Sequence, residues 1–227
     1  MASTLLFALA LAAIQPGEYK RERGSGTLTI TSAGNGTKEF RISTIGSAAH
    51  MCELEGTISG NIGKQRGGEP GDPECLVAFT QQGNKIEVDT PTLDVCSESC
   101  GARATFYGSY YLPPPACKPA AIRKTKDEFL KQYKARNYAQ AYDTLNEWFG
   151  KCEHLMFWVD VDRTRNDLAL TQYHMNQPGA CMATLANTYA ARKKSIEDVQ
   201  LGLPNVEFEA YVSTARATFH NLKLCGK

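Results

Sequence analysis

Residues 27–45 read TLTITSAGNGTKEFRISTI. On both sides of Asn35-Gly36 apolar and polar side chains alternate, with Leu28 and Ile30 before the pair and Phe40 and Ile42 after it. A period of two sends successive side chains to opposite faces of a strand, and Asn-Gly supplies the backbone conformation of a tight hairpin turn. The same pattern extends from Glu18 to Tyr111. Further strands are expected at 51–58, 76–80, 85–89 and 104–112, with another tight turn at Gly83-Asn84. Residues 60–73 are Gly-rich and polar, and read as a mobile loop. About six or seven short strands at this spacing predict a small antiparallel barrel or sandwich.

Beyond Pro113-Pro114-Pro115 the period changes to that of a helix. Phe129, Leu130, Tyr133, Ala141, Leu145 and Phe149 mark two amphipathic helices around Arg136-Asn137. More helices are expected at 161–175, 179–199 and 207–222, the last two separated by Gly202 and Pro204. The helical region also echoes itself. Gln132-Tyr133, Ala141-Tyr142 and Leu145 recur forty positions later as Gln172-Tyr173, Cys181-Met182 and Leu185. Residues 133–145, YKARNYAQAYDTL, resemble the hairpin core of a tetratricopeptide repeat, whose usual period is about 34; a plain helical bundle is the competing reading. The fold class expected is α+β: a β domain at 14–112, a Pro-rich linker at 113–124 and a helical-hairpin domain at 125–227.

Residues 1–13 precede these domains. Leu5–Ile14 forms an apolar run, LLFALALAAI, too short for a bilayer span of roughly 20 residues. With the small-x-small sites Ala8-Leu9-Ala10 and Ala10-Leu11-Ala12 it reads as a secretory signal at 1–13, although no Lys or Arg precedes it. A buried N-terminal helix is the alternative. Export implies a periplasmic or secreted protein in an oxidising compartment. No later segment is long and apolar enough for a membrane span.

The chain has 227 residues, with 25 Lys plus Arg against 24 Asp plus Glu. So even a balance argues against a nucleic-acid binder, which carries a strongly basic face. The sum conceals a division. Up to Cys117 there are 9 basic and 12 acidic residues; after it there are 16 and 12. Much of the later excess lies between Lys118 and Arg136, as a solvated helix face or as a docking surface for an acidic partner.

Eight cysteines allow about 105 full pairings. Cys52, Cys75, Cys96, Cys100 and Cys117 lie in or at the edge of the β half, and Cys152, Cys181 and Cys225 in the helical half. Five and three are both odd, so full pairing implies at least one bridge between the halves. In antiparallel helices the end of the second returns to the start of the first. That logic brings Cys152 to Cys117 and Cys225 to Cys181. A hairpin of 76–80 with 85–89 brings Cys75 to Cys96, which leaves Cys52 with Cys100.

Reactive motifs are scarce. Cys152-Glu153-His154 holds a thiol and a base, but adjacency in sequence is not mutual orientation. Cys96 and Cys100 have three residues between them, unlike the two of thiol oxidoreductases and zinc knuckles. The run from Asp160 to Asn166 imitates a calcium loop but has Arg165 at the position of the required glycine and Thr171 at that of the acidic twelfth ligand. The four histidines, His50, His154, His174 and His220, show no ligand spacing, and there is no phosphate loop and no Gly-x-Ser-x-Gly. Neither a cofactor nor a metal is expected. Asn35-Gly36-Thr37 is a glycosylation sequon that a turn explains equally well. Phe106, Tyr107, Tyr110 and Tyr111 offer at most one alternate set for stacking, because the other faces the core.

Three stretches carry a family resemblance. The run of Gly17-Glu18-Tyr19-Lys20-Arg21-Glu22-Arg23-Gly24, that of His50-Met51-Cys52-Glu53-Leu54-Glu55-Gly56, and the stretch from Cys96 to Tyr110 resemble the β domain of uncharacterised proteobacterial periplasmic proteins, similar in style to envelope lysozyme-inhibitor-like proteins. The stretch from Arg165 to His174, RNDLALTQYH, resembles the most recognisable part of their helical segment. The resemblance covers most of the mature chain and carries no settled activity. The inhibitory Ser-Gly-x-x-Tyr loop of membrane-bound lysozyme inhibitors has no match, since Ser59-Gly60-Asn61-Ile62-Gly63 lacks the tyrosine.

These observations lead to one functional expectation and two alternatives. The expectation is a non-enzymatic binding protein with a protein partner in the cell envelope, as an inhibitor or immunity-type partner of an envelope enzyme. The alternatives are a peptidoglycan-active hydrolase and a structural envelope factor. Arg165, Asn166, Asp167, Gln172, Tyr173 and His174 are the interaction candidates. Their purely structural alternatives are a helix cap for Asn166 and Asp167 and a core position for Tyr173.

Overall fold

The computed structural model describes residues 13–34, 36–67 and 71–226. The signal reading at 1–13 falls almost wholly outside these residues, as does Asn35 of the first hairpin turn. Eight antiparallel strands run in sequence order: β1 (Gly17–Arg21), β2 (Gly26–Ser32), β3 (Lys38–Ile45), β4 (Met51–Ser59), β5 (Ile62–Gln65), β6 (Leu76–Gln82), β7 (Lys85–Asp89) and β8 (Gly108–Tyr111). Each pairs with the next, and β8 returns to β1 through Lys20 opposite Tyr111 and Arg21 opposite Tyr110. The sheet therefore closes into a barrel with no free edge.

Alternation fills the barrel. Leu28, Ile30, Phe40, Ile42, Leu54, Ile58, Val77, Phe79, Ile86 and Val88 all point inward and are buried. Burial of this kind contributes roughly 1.5–3 kcal/mol per large side chain. Tyr19 and Tyr110 are enclosed too, and Tyr110 satisfies its hydroxyl by donating to the Phe106 carbonyl at 2.6 Å. Burial pushes the Tyr110 phenol above its ordinary range.

Two strands escape the alternation rule. β1 is short, and β5 lies inside the stretch expected to be a mobile loop. In β5 the inward position is Gly63, which leaves no apolar signal. Its bare backbone is required, because a Cβ there would sit 2.7 Å from the Phe40 ring and 2.8 Å from the Phe79 ring. Those rings meet edge to face at 5.3 Å. The expected strand at 104–112 shortens to β8, and the segment before it contains a short helix, α1 (Leu93–Ser97).

The helical half comprises α2 (Pro119–Lys134), α3 (Tyr138–Cys152), α4 (Trp158–His174), α5 (Pro178–Leu185), α6 (Ile196–Leu201) and α7 (Asn205–Cys225). Residues 119–124, read as linker from their proline, already belong to α2. Pro119 occupies the first turn, where its missing N–H costs nothing. The expected helix at 179–199 is broken. α5 ends at Leu185, a turn follows, and Ser195 caps α6 by accepting from the Asp198 N–H at 3.3 Å.

The forty-residue echo is a structural repeat. α2–α3 and α4–α5 are helical hairpins whose turns place Arg136 at φ 62° and Asn176 at φ 58°. The Asn137 N–H reaches the Gln132 carbonyl at 2.9 Å, and the Gln177 N–H reaches that of Gln172 at 3.0 Å. Side chains repeat as well: Thr144 donates to Gln132 Oε1 at 2.9 Å, and Thr184 donates to Gln172 Oε1 at 2.8 Å. α7 packs against both α4 and α5.

Disulfides join Cys52 to Cys100, Cys75 to Cys96, Cys117 to Cys152 and Cys181 to Cys225. Three of these pairs are the ones reached above from hairpin geometry, and Cys52 with Cys100 is the one left over. The expected covalent strap between the halves is absent, however. Cys117 is buried with Phe129, Leu145 and Trp148 in the helical core, so four cysteines serve each half and no bridge crosses. Four disulfides are characteristic of an oxidising environment. Among the described residues no helix is long and apolar enough to cross a membrane.

Candidate functional site

With no disulfide between them, the halves meet through backbone contacts and a few side chains. Gly24 (φ 65°) abuts the chain at 155–157, where a Cβ would collide with the backbone of Met156 and Phe157. Beside it Arg23 holds the same left-handed conformation at φ 62°, an uncommon one for a residue with a side chain. A second contact lies at Ala48 and Ala49, with φ 57° and 59°. There the Ala48 N–H donates to Glu207 Oε1 at 2.9 Å, on the first turn of α7. Strained backbone of this sort persists where its surroundings over-determine it. Among the described residues, three of the five non-glycine ones with positive φ lie at these two contacts.

Between the halves opens a cleft of about 750 Å³. Glu22 and Arg23 form its barrel wall; Glu153, His154, Trp158, Asp162, Arg165, Tyr189 and Arg192 are among the residues of its helical side. Its floor is aromatic: Trp158 lies 5.8 Å from Tyr189 and 4.7 Å from the buried Tyr211.

Asp162 organises the helical wall. It is 4 % exposed on α4, yet both carboxylate oxygens are engaged. Oδ2 accepts from the Tyr189 N–H at 2.7 Å and from the Tyr211 hydroxyl at 2.8 Å, and Oδ1 faces Arg165 Nη1 at 3.4 Å. Tyr211 in turn accepts from the Ala190 N–H at 3.0 Å. Burial, with Asp162 beside it, pushes the Tyr211 phenol well above its ordinary range. A buried carboxylate is tolerated when donors surround it, and here they tie the turn at 187–192 to α4 and α7. Arg165 is further held by Glu153 and by the Asn187 carbonyl at 2.8 Å.

Two cations at the rim have no such partners. The side chains of Arg23 and Arg192 are exposed and engage in no hydrogen bond or ion pair among the described residues. Glu22 lines the same wall and acts electrostatically on Lys85 of the barrel.

The sequence-derived candidates separate. Arg165 lines the cleft. Asn166 and Asp167 stand in the middle of α4, so neither caps a helix. Asn166 is in the core, donating to the Asp162 carbonyl and to Thr218 at 2.8 Å and accepting from Asn221 at 3.0 Å. Asp167 stays exposed on the outer face of α4. Gln172 is buried in the repeat clamp with Thr184. Tyr173 is half-buried, and His174 stacks on Tyr138 at 4.6 Å beside the hairpin turns, away from the cleft.

Sequence reasoning named neither Arg23 nor Arg192 as an interaction candidate: Arg23 lies within the Gly17–Gly24 run that carries the resemblance, and Arg192 is an isolated arginine with no motif. Asp162 was visible only inside a failed calcium pattern, and the helix explains that failure: Asp160 pairs with Arg163, and Asp162 turns inward. Among the described residues no group of three or more His, Cys, Asp or Glu is placed to hold a metal ion. Cys152 is bonded to Cys117, which removes it as a nucleophile for His154. In comparisons with family models, curated proteins and solved structures, the chain matches none.

Proposed function

We propose that this chain is an exported, non-enzymatic binding protein that grips a protein partner in the cell envelope, as an inhibitor or immunity-type factor does. The observation that carries this reading is the cleft between two separately stapled halves, with an aromatic floor and unpartnered arginines at its rim. Its volume of about 750 Å³ admits a short segment of polypeptide. The tandem hairpins support the reading too, because tetratricopeptide-like arrays present extended surfaces to protein segments. The resemblance to lysozyme-inhibitor-like periplasmic proteins points the same way.

Affinity capture from a periplasmic extract tests it, with the purified chain as bait. The expected result is one stoichiometric partner, lost when Arg23 and Arg192 are both changed to Gln. Absence of a partner, together with turnover of cell-wall fragments that disappears on replacing His154 or His174, would sink the proposal and favour the hydrolase.

A further inference from the structure

We infer that the interdomain cleft is a receptor for an acidic polypeptide segment, whose carboxylate is clamped between Arg23 and Arg192 while its apolar neighbour rests on Trp158 and Tyr189. This rests on the protein-binding reading above and gives its partner a chemistry.

The charges inside the cleft are unevenly partnered. Three guanidinium groups line it. Arg165 is paired with both Glu153 and Asp162, a group of three that carries one net negative charge, and it serves the wall. Arg23 and Arg192 come from opposite halves and remain uncommitted. A guanidinium presents a planar fork matched to a carboxylate or phosphate, and two forks facing one space make an oxyanion their natural occupant. Arg23 is also held at the cleft by a backbone conformation that ordinary arginines avoid, next to a glycine pressed on the other half. The floor adds a preference beyond charge. The half-buried indole of Trp158 and the ring of Tyr189 offer apolar area that a free inorganic anion cannot use. A side-chain carboxylate beside an apolar residue uses both. Glu22 on the barrel wall disfavours a dense polyanion and suits a segment with an isolated acidic group.

Trp158 provides the signal for the test. The chain has two tryptophans, and the other, Trp148, is 4 % exposed with an indole N–H that has no hydrogen-bond partner. A Trp148→Phe background therefore leaves one reporter, in the cleft. Titration with an end-blocked pentapeptide carrying two glutamates around a phenylalanine should change Trp158 fluorescence saturably. Replacing the glutamates by glutamines, or Arg23 and Arg192 by Gln, should each weaken binding by about tenfold or more. The single Arg192→Gln variant, at an exposed turn, should lose part of that affinity with an unchanged thermal transition. Equal binding of the two peptides, or binding of neither, overturns the inference. Tighter binding of inorganic phosphate than of the acidic peptide overturns it as well and reassigns the cleft to a small anion. If a captured partner still needs Arg23 and Arg192 while the peptides fail, the acidic chemistry falls and the protein-binding reading stands.

Discussion

At the scale of the residue, Asp162 shows how one buried charge organises a wall. It accepts from a backbone amide and a tyrosine hydroxyl, and it faces an arginine that is itself held by Glu153. Replacing it with alanine leaves those donors without an acceptor in a site that water barely reaches. Asp162→Ala should therefore cost about 3 kcal/mol in a denaturant titration. Asp162→Asn keeps the volume and one acceptor oxygen, and should cost less. A loss under about 1 kcal/mol for the alanine variant would mean that the turn at 187–192 is held by other contacts.

Among the elements, the two hairpins share a clamp but not an environment. Gln172 is 5 % exposed, bonded to Tyr142 of α3 and Thr184 of α5, whereas Gln132 is only half-buried on the outer helix α2. An identical bond to threonine therefore carries different weight. Gln172→Ala should destabilise by about 1–2 kcal/mol and Gln132→Ala by under about 1 kcal/mol, read from helical circular dichroism in urea. Equal losses would show that the clamp, and not its burial, decides the effect. The repeat was visible in sequence as matched Gln-Tyr pairs. The break after Leu185 was not, although Ser195 and Asp198 stood at capping spacing. A separate blurring affects α4, where Asp162, Thr164, Asn166, Thr171 and Gln172 are buried among apolar residues and weaken the helical period.

For the whole molecule, the distribution of disulfides makes a direct prediction. A protease site engineered into the connection at 112–116, ahead of Cys117, should release two fragments on a denaturing gel without reductant. One band under those conditions, separating only with thiol, would restore the covalent strap that cysteine parity suggested. The strap failed for a local reason. Cys117 follows the proline run but is already packed under α2 and α3, so assigning it to the barrel miscounted both halves.

The division between what the chain spells out and what folding decides follows from the range of the forces involved. Side-chain alternation and helical period act between near neighbours, so the change from strands to helices at the proline run, the Asn-Gly and Gly-Asn turns and the hairpin repeat were legible directly. Hairpin geometry also brought three of the cysteine pairs together and left the fourth by remainder, because each bridge closes a loop within its own half. Closure of the barrel was not legible, since pairing of β8 with β1 depends on the summed twist and tilt of the sheet. The cleft was less so. Arg23 and Arg192 are far apart in sequence, and they line one space beside the point where Gly24 meets the backbone of Met156 and Phe157, a contact that only tertiary packing makes.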